Sequence, residues 1–193
     1  MKYLIKNIND YDDSLIFSFY NSIYKKKKKK LDKLLNTSDK KKSIISEIML
    51  KELLQEYNIE YEKCKFSISD NGKPYIKNQD IYFSISHSKR FIAVAVSRNN
   101  IGIDIEEIKD ISDNTLDYIS TSIEKEYINA SNNKNITFLK LFTLKESYIK
   151  LNDLNLTDLK NINVIKDNQL YIENCNIKSE INDIYCITIC EKK

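Results

Sequence analysis

Apolar residues along this chain follow two periods. At residues 3–8 they alternate closely enough for a strand, whereas Ile44, Ile45, Ile48, Met49, Leu53 and Tyr57 recur every three to four positions and predict a helix that Ser38 can cap. Further strands are predicted at 64–68, 81–85, 91–97 and 101–105, with Asn99-Asn100 as a hairpin turn joining the last two. The run Ile92-Ala93-Val94-Ala95-Val96 requires at least one buried face. Helices follow near 115–130 and 137–151, separated by a loop signal at 131–135, and strands near 162–165, 170–172 and 184–190. Each half offers helix and strand in similar amounts. The expected class is therefore α+β: two similar halves, 1–99 and 100–193, each a small, mostly antiparallel sheet packed on a long helix. That is a pseudo-two-fold duplication with the active site between its halves, although no residue-level repeat is visible.

Composition adds bounds. At 193 residues the chain can bury a substantial core without disulfides or metal staples. Its formal charge is only +3, yet lysines cluster at Lys25 to Lys30 and again at Lys40, Lys41 and Lys42, which favours a local anion site over a uniformly basic surface. Cys64, Cys175, Cys186 and Cys190 form no CxxC pair, and one histidine cannot complete a Cys/His zinc set, so reduced thiols in a cytoplasmic protein are expected. The first residues lack the apolar run of a signal peptide, and no stretch of about eighteen apolar residues is available to span a bilayer.

The only two glycines (Gly72 and Gly102), the only proline (Pro74) and the only histidine (His87) all fall between Asn71 and Asp104. A chain so sparing with glycine and proline keeps them where geometry demands them, which marks this segment for function. Asp104 and Glu106, two apart on a predicted strand, put both carboxylates on one face, as oxygen ligation of a hard divalent cation requires. A bare Asp-x-Glu is more often a solvated strand end, but the flanking Ile101, Ile103 and Ile105 bury this one. In Phe142-Thr143-Leu144-Lys145-Glu146-Ser147-Tyr148-Ile149-Lys150, helical spacing aligns Phe142, Glu146, Ile149 and Lys150. Alone, Glu146 and Lys150 read as a surface i,i+4 pair; with the two acids and the clustered lysines they describe a magnesium-and-phosphate site.

Ile-Gly-Ile-Asp-Ile-Glu, followed about forty residues later by Phe-Thr-Leu-Lys-Glu-Ser-Tyr-Ile-Lys, resembles the paired signature of the 4′-phosphopantetheinyl transferases, specifically the larger surfactin-synthetase-activating type. Asn71-Gly72-Lys73-Pro74 and Phe83-Ser84-Ile85-Ser86-His87-Ser88 extend the resemblance, which covers roughly residues 25–160. It implies Mg2+ held by Asp104, Glu106 and Glu146 together with the pyrophosphate of coenzyme A, and Lys150 on the same phosphates. It also implies a coenzyme A site that includes Lys27, Lys30, Lys42, Ser43, Lys73, Ser86, His87 and Lys145. Glu146, Lys150 and Glu126 are the implied catalytic residues, with Glu124 the alternative to Glu126. The implied reaction transfers phosphopantetheine to a serine of an apo acyl or peptidyl carrier protein, by a monomer with no membrane or nucleic-acid partner.

Three departures stand out. Phe142 replaces a common tryptophan, Lys42 a frequent arginine, and Asp153-Leu154-Asn155-Leu156 a Gly-x-Gly-Leu turn that Asp and Asn can still support. Two rivals remain open at this point: a basic module binding nucleic acid through its lysine runs, and a magnesium-dependent phosphodiesterase using the same acids.

Overall fold

The structure, a computed structural model, describes every residue except Tyr24, and every side chain except those of Tyr24, Lys25, Lys26, Lys30 and Asp113. The chain runs β1 (Lys2–Asn7), α1 (Asp13–Ser22), α2 (Lys25–Leu31), α3 (Thr37–Gln55), β2 (Phe66–Ile68), β3 (Pro74–Ile76), β4 (Tyr82–Ser88) and β5 (Phe91–Ser97). It continues β6 (Ile101–Glu107), α4 (Asp113–Ile119), α5 (Ser122–Asn129), α6 (Lys134–Asn152), β7 (Ile165–Lys166), β8 (Gln169–Leu170), β9 (Cys175–Ile181) and β10 (Tyr185–Lys192). Two antiparallel three-stranded sheets dominate, ordered β1-β5-β4 and β6-β10-β9. The result is a mixed fold of helices and small antiparallel sheets.

Side-chain alternation on β5 sets the layering. Ile92, Val94 and Val96 join Ile45, Met49 and Leu53 of α3 in one core. The small Ala93 and Ala95 point the other way, and their size lets Ile101, Ile103 and Ile105 of β6 and Ile187 and Ile189 of β10 pack against them. Each of these fully buried isoleucines contributes about 1.5–3 kcal/mol. On the far side of the second sheet, Phe138, Leu141, Leu144 and Leu151 of α6 share a third core with Cys175 and Cys190. The layers are thus helix, sheet, sheet, helix.

The expected β5–β6 hairpin does not form. Both edges of β5 are taken, by β1 and by β4, so β6 cannot add to it and instead starts the second sheet. The single helix expected at 115–130 is two, because Thr121 caps α5 in a reciprocal box with Glu124 and ends the preceding helix. Asn36, rather than Ser38, caps α3. Helices α1 and α2 and strand β9 lacked a clear periodic signal. Among the described residues no helix is long and apolar enough to cross a membrane.

Candidate functional site

Gly102, Asp104 and Glu106 occupy the β6 face toward α6, opposite the isoleucines. Gly102 is needed for proximity: a Cβ there would lie 1.9 Å from the Ser147 carbonyl oxygen and 2.5 Å from the Leu151 nitrogen. Its missing side chain lets α6 settle directly on the strand. The same two turns of α6 carry Glu146 and Lys150, so they arrive beside Asp104.

Lys150 Nζ donates to Asp104 Oδ1 (2.6 Å) and to Ser86 Oγ (2.9 Å) and stands 4.0 Å from Glu146 Oε2. Ser86 Oγ in turn donates to Asp104 Oδ1 at 2.7 Å. The other oxygen of Asp104, Oδ2, is buried and has no hydrogen-bond partner among the described residues. Glu106 Oε2 accepts from Ser88 Oγ (2.9 Å) and Lys109 Nζ (3.4 Å). Burial, followed by repulsion from Asp104, raises the Glu146 carboxyl to about 7, against the pull of Lys150. Three acids that repel one another, one with an orphaned buried oxygen, suit a hard cation. Among the described residues no group of three acidic, histidine or cysteine side chains is preassembled as a metal cage.

The Asn71-Gly72-Lys73-Pro74 segment clamps the end of α6. Gly72 turns the chain at φ +91°, and Lys73 Nζ donates to the carbonyls of Leu151 (3.1 Å) and Ile101 (3.4 Å) and to Asn100 Oδ1 (3.1 Å). An ammonium thus meets a carbonyl left free at a helix C-terminus, where the dipole favours it. Burial depresses the Lys73 pKa to about 8. Asp153 caps α6 in the left-handed region (φ 54°), accepting from Ser69 Oγ at 2.9 Å, so the turn survives without glycine. A cavity of about 290 Å³ opens between these parts, lined by Lys73, Pro74, Phe83, Glu146, Lys150 and Leu154 among others.

The remaining sequence-selected residues fall in different places. His87 lies close enough to Lys42 and Lys150 for their charges to add to the burial that lowers its pKa, so two lysines stand near an imidazole that burial and their charge keep neutral. Lys42 also pairs with Asp39 at 2.8 Å, and Ser43 follows it on α3, half-buried. Lys27 pairs with the buried Glu47 at 2.8 Å. The Lys30 side chain lies outside the described residues. Lys145, expected at the coenzyme A site, is fully buried instead: it pairs with Glu124 at 2.6 Å and donates to the Ile119 carbonyl at 2.9 Å. Glu126 is exposed, and Glu124 is the networked acid, its carboxylate also accepting from the Val164 amide at 3.0 Å. Sequence reasoning passed over Ser88, Asn100 and Ser69; only the alternation of serines on β4 hinted at the first.

Two family descriptions match adjoining stretches: "4′-phosphopantetheinyl transferase, N-terminal" over residues 13–99 and "4′-phosphopantetheinyl transferase superfamily" over residues 100–190. The 4′-phosphopantetheinyl transferase gsp of Aneurinibacillus migulanus is 35% identical over 72% of this chain, and the match spans 60% of that relative's length. The 4′-phosphopantetheinyl transferase Sfp of Bacillus subtilis strain 168 is 27% identical over 89% of this chain and 83% of its own. The 4′-phosphopantetheinyl transferase ffp of Bacillus subtilis is 23% identical over 97% and 89%. With nearly the whole length matched by the two family descriptions, this chain belongs to the 4′-phosphopantetheinyl transferase superfamily, in the Sfp and gsp type.

Proposed function

We propose that this protein moves the 4′-phosphopantetheine group of coenzyme A onto a serine of an apo acyl or peptidyl carrier protein and releases adenosine 3′,5′-bisphosphate. The observation that carries the reading is the buried Oδ2 of Asp104, without a partner among the described residues, beside the repelled Glu146 and with Lys150 within hydrogen-bond reach. Asp104, Glu106 and Glu146 are the residues that would hold Mg2+, which when bound supplies charge neutralisation at the pyrophosphate. On this reading the two sheet-and-helix parts, 1–99 and 100–193, are similar halves, and a monomer in the cytoplasm carries one site between them.

The residues of the chain do the rest. Lys42 and His87 orient the phosphates of coenzyme A, and the cavity beside Pro74 and Phe83 shelters part of the substrate from water. Glu146 accepts the proton of the carrier serine, directly or through water. The serine oxygen then bonds to the β-phosphorus as the bond to the bisphosphate oxygen breaks. Lys150 leaves Asp104 for the departing phosphate, whose growing negative charge it stabilises.

Incubation with coenzyme A, Mg2+ and an apo-carrier, read by intact mass, tests this. The carrier should gain one phosphopantetheine group, and its serine-to-alanine variant none. Modification of neither while coenzyme A is consumed would establish a hydrolase instead, and modification of both would rule out the serine as the acceptor.

A further inference from the structure

Three serines alternate on β4, and their hydroxyls bridge to β6 where no backbone ladder exists. Ser84 Oγ accepts from the Ile103 amide at 3.1 Å. Ser86 Oγ accepts from Lys150 and donates to Asp104. Ser88 Oγ accepts from the Glu107 amide at 3.1 Å and donates to Glu106 Oε2 at 2.9 Å. A hydroxyl has one hydrogen to give. With the Glu107 N–H pointed at its lone pairs, the Ser88 hydrogen is committed to Glu106.

The consequence concerns the carboxylates. Each of the two β6 acids has one oxygen anchored by a β4 serine, Oδ1 of Asp104 and Oε2 of Glu106. The opposite oxygens, Oδ2 and Oε1, accept no hydrogen bond from the described residues. Anchoring one oxygen fixes the carboxylate plane and so the direction of the free one. Losing a group that orients a ligand in this way typically costs about 10–100-fold in metal affinity.

We propose that Ser88 is a positioning residue for the cation site: it holds Glu106 so that its free oxygen and that of Asp104 meet a divalent cation together. The inference rests on the reading above that these acids hold a divalent cation. Ser88 touches neither substrate nor cation and acts only through Glu106. Because Ser88 belongs to β4 and Glu106 to β6, the packing of one sheet on the other sets the cation affinity.

Ser84 provides an internal control, since it bridges the same two strands but reaches no carboxylate. Mn2+ binding to the intact protein is followed by electron paramagnetic resonance for wild type, Ser84→Ala, Ser88→Ala and Ser88→Thr, each with a melting curve. Ser88→Ala should weaken Mn2+ binding about 10–100-fold. Ser84→Ala should bind Mn2+ as wild type does, even where it melts earlier, and Ser88→Thr, which keeps the hydroxyl, should restore most of the affinity. Wild-type affinity in Ser88→Ala would overturn the inference alone, as would equal weakening in Ser84→Ala. A wild type that binds no Mn2+ would overturn the metal reading and this inference together.

Discussion

Replacing Gly102 by alanine adds a single methyl group, and the structure says what that group would meet. Its Cβ would sit 1.9 Å from the Ser147 carbonyl oxygen, where ordinary contact begins at 3.4 Å. Neither Ser147 O nor Leu151 N belongs to a movable side chain. Relief therefore requires α6 to retreat from β6 by about 1.5 Å, unless strand and helix share the shift. Overpacking of this kind costs about 1–3 kcal/mol and, at about 2–4 °C of melting temperature per kcal/mol for a chain of this size, should be plain in a thermal melt.

The larger effect should fall on activity. Ser147 and Leu151 each follow directly a residue of the site, Glu146 and Lys150, so a retreat of their backbone carries both away from Asp104. A misplacement of about 1 Å can cost about a hundredfold in rate. We expect Gly102→Ala to lose that much in kcat for carrier modification at saturating Mg2+ and coenzyme A, measured well below the melting temperature, with circular dichroism unchanged. Wild-type turnover and melting temperature in this variant would refute the claim that close approach of α6 builds the site.

Three other outcomes are expected. The Glu146 carboxyl is raised from an ordinary 4.5 to about 7, so without metal the folded state holds a proton that the unfolded state releases between those values, and stability falls as pH rises through that window. Glu146→Gln should therefore stabilise the metal-free protein at pH 8, by at most about 3 kcal/mol, with no gain at pH 4; equal melting temperatures at pH 8 would contradict this. Removing one partner of the buried Lys145–Glu124 pair should cost about 3–5 kcal/mol in denaturant unfolding, while Lys145→Met with Glu124→Leu should recover much of it. Finally, His87 is the one histidine of the chain, so its Cε1 proton resonance can be followed without overlap: its pKa, lowered by burial, Lys42 and Lys150, should rise on adding coenzyme A and in Lys42→Ala, and a titration unmoved by either would remove His87 from the proposed phosphate site.

The sequence exposed whatever local chemistry alone dictates. Alternation found β5 and β6, and helical spacing found α3 and α6, because each buries a continuous stripe against a single neighbour. It misplaced β6 as the partner of β5, since two strands joined by Asn99-Asn100 look alike whether they pair or pack face to face; the edges of β5 decide that, and the strands taking them lie at positions 2–7 and 82–88. Lys145 shows the same limit at one residue. One position along a helix, from Glu146 back to Lys145, turns a side chain by about 100°, enough to leave the rim for the buried face, and nothing within the motif reveals that Glu124 waits beneath it. In the lysine runs, Lys27, Lys40 and Lys41 find acids whose positions no local pattern announces, and only Lys42 meets an acid, Asp39, within its own helical turn.

Those long-range partners explain why one site needs the whole chain. Asp104 lies on β6, yet its oxygen is held by Ser86 from the other sheet and by Lys150 from α6. The end of α6 is secured by Lys73, which belongs to the segment leading into β3. Buried polar groups are stabilising only when fully satisfied, so loosening the contact between the sheets would strand Ser86, Lys150 and Lys73 at once. Each of these donors stands at the layer boundary, where an apolar residue would have packed with less risk. Their presence there ties the positions of the acids and of Lys150 to the integrity of the interface. Ala93 lies directly across from Ser86 in the sheet, so substitutions in the Ala93 and Ala95 layer should lower activity in step with stability.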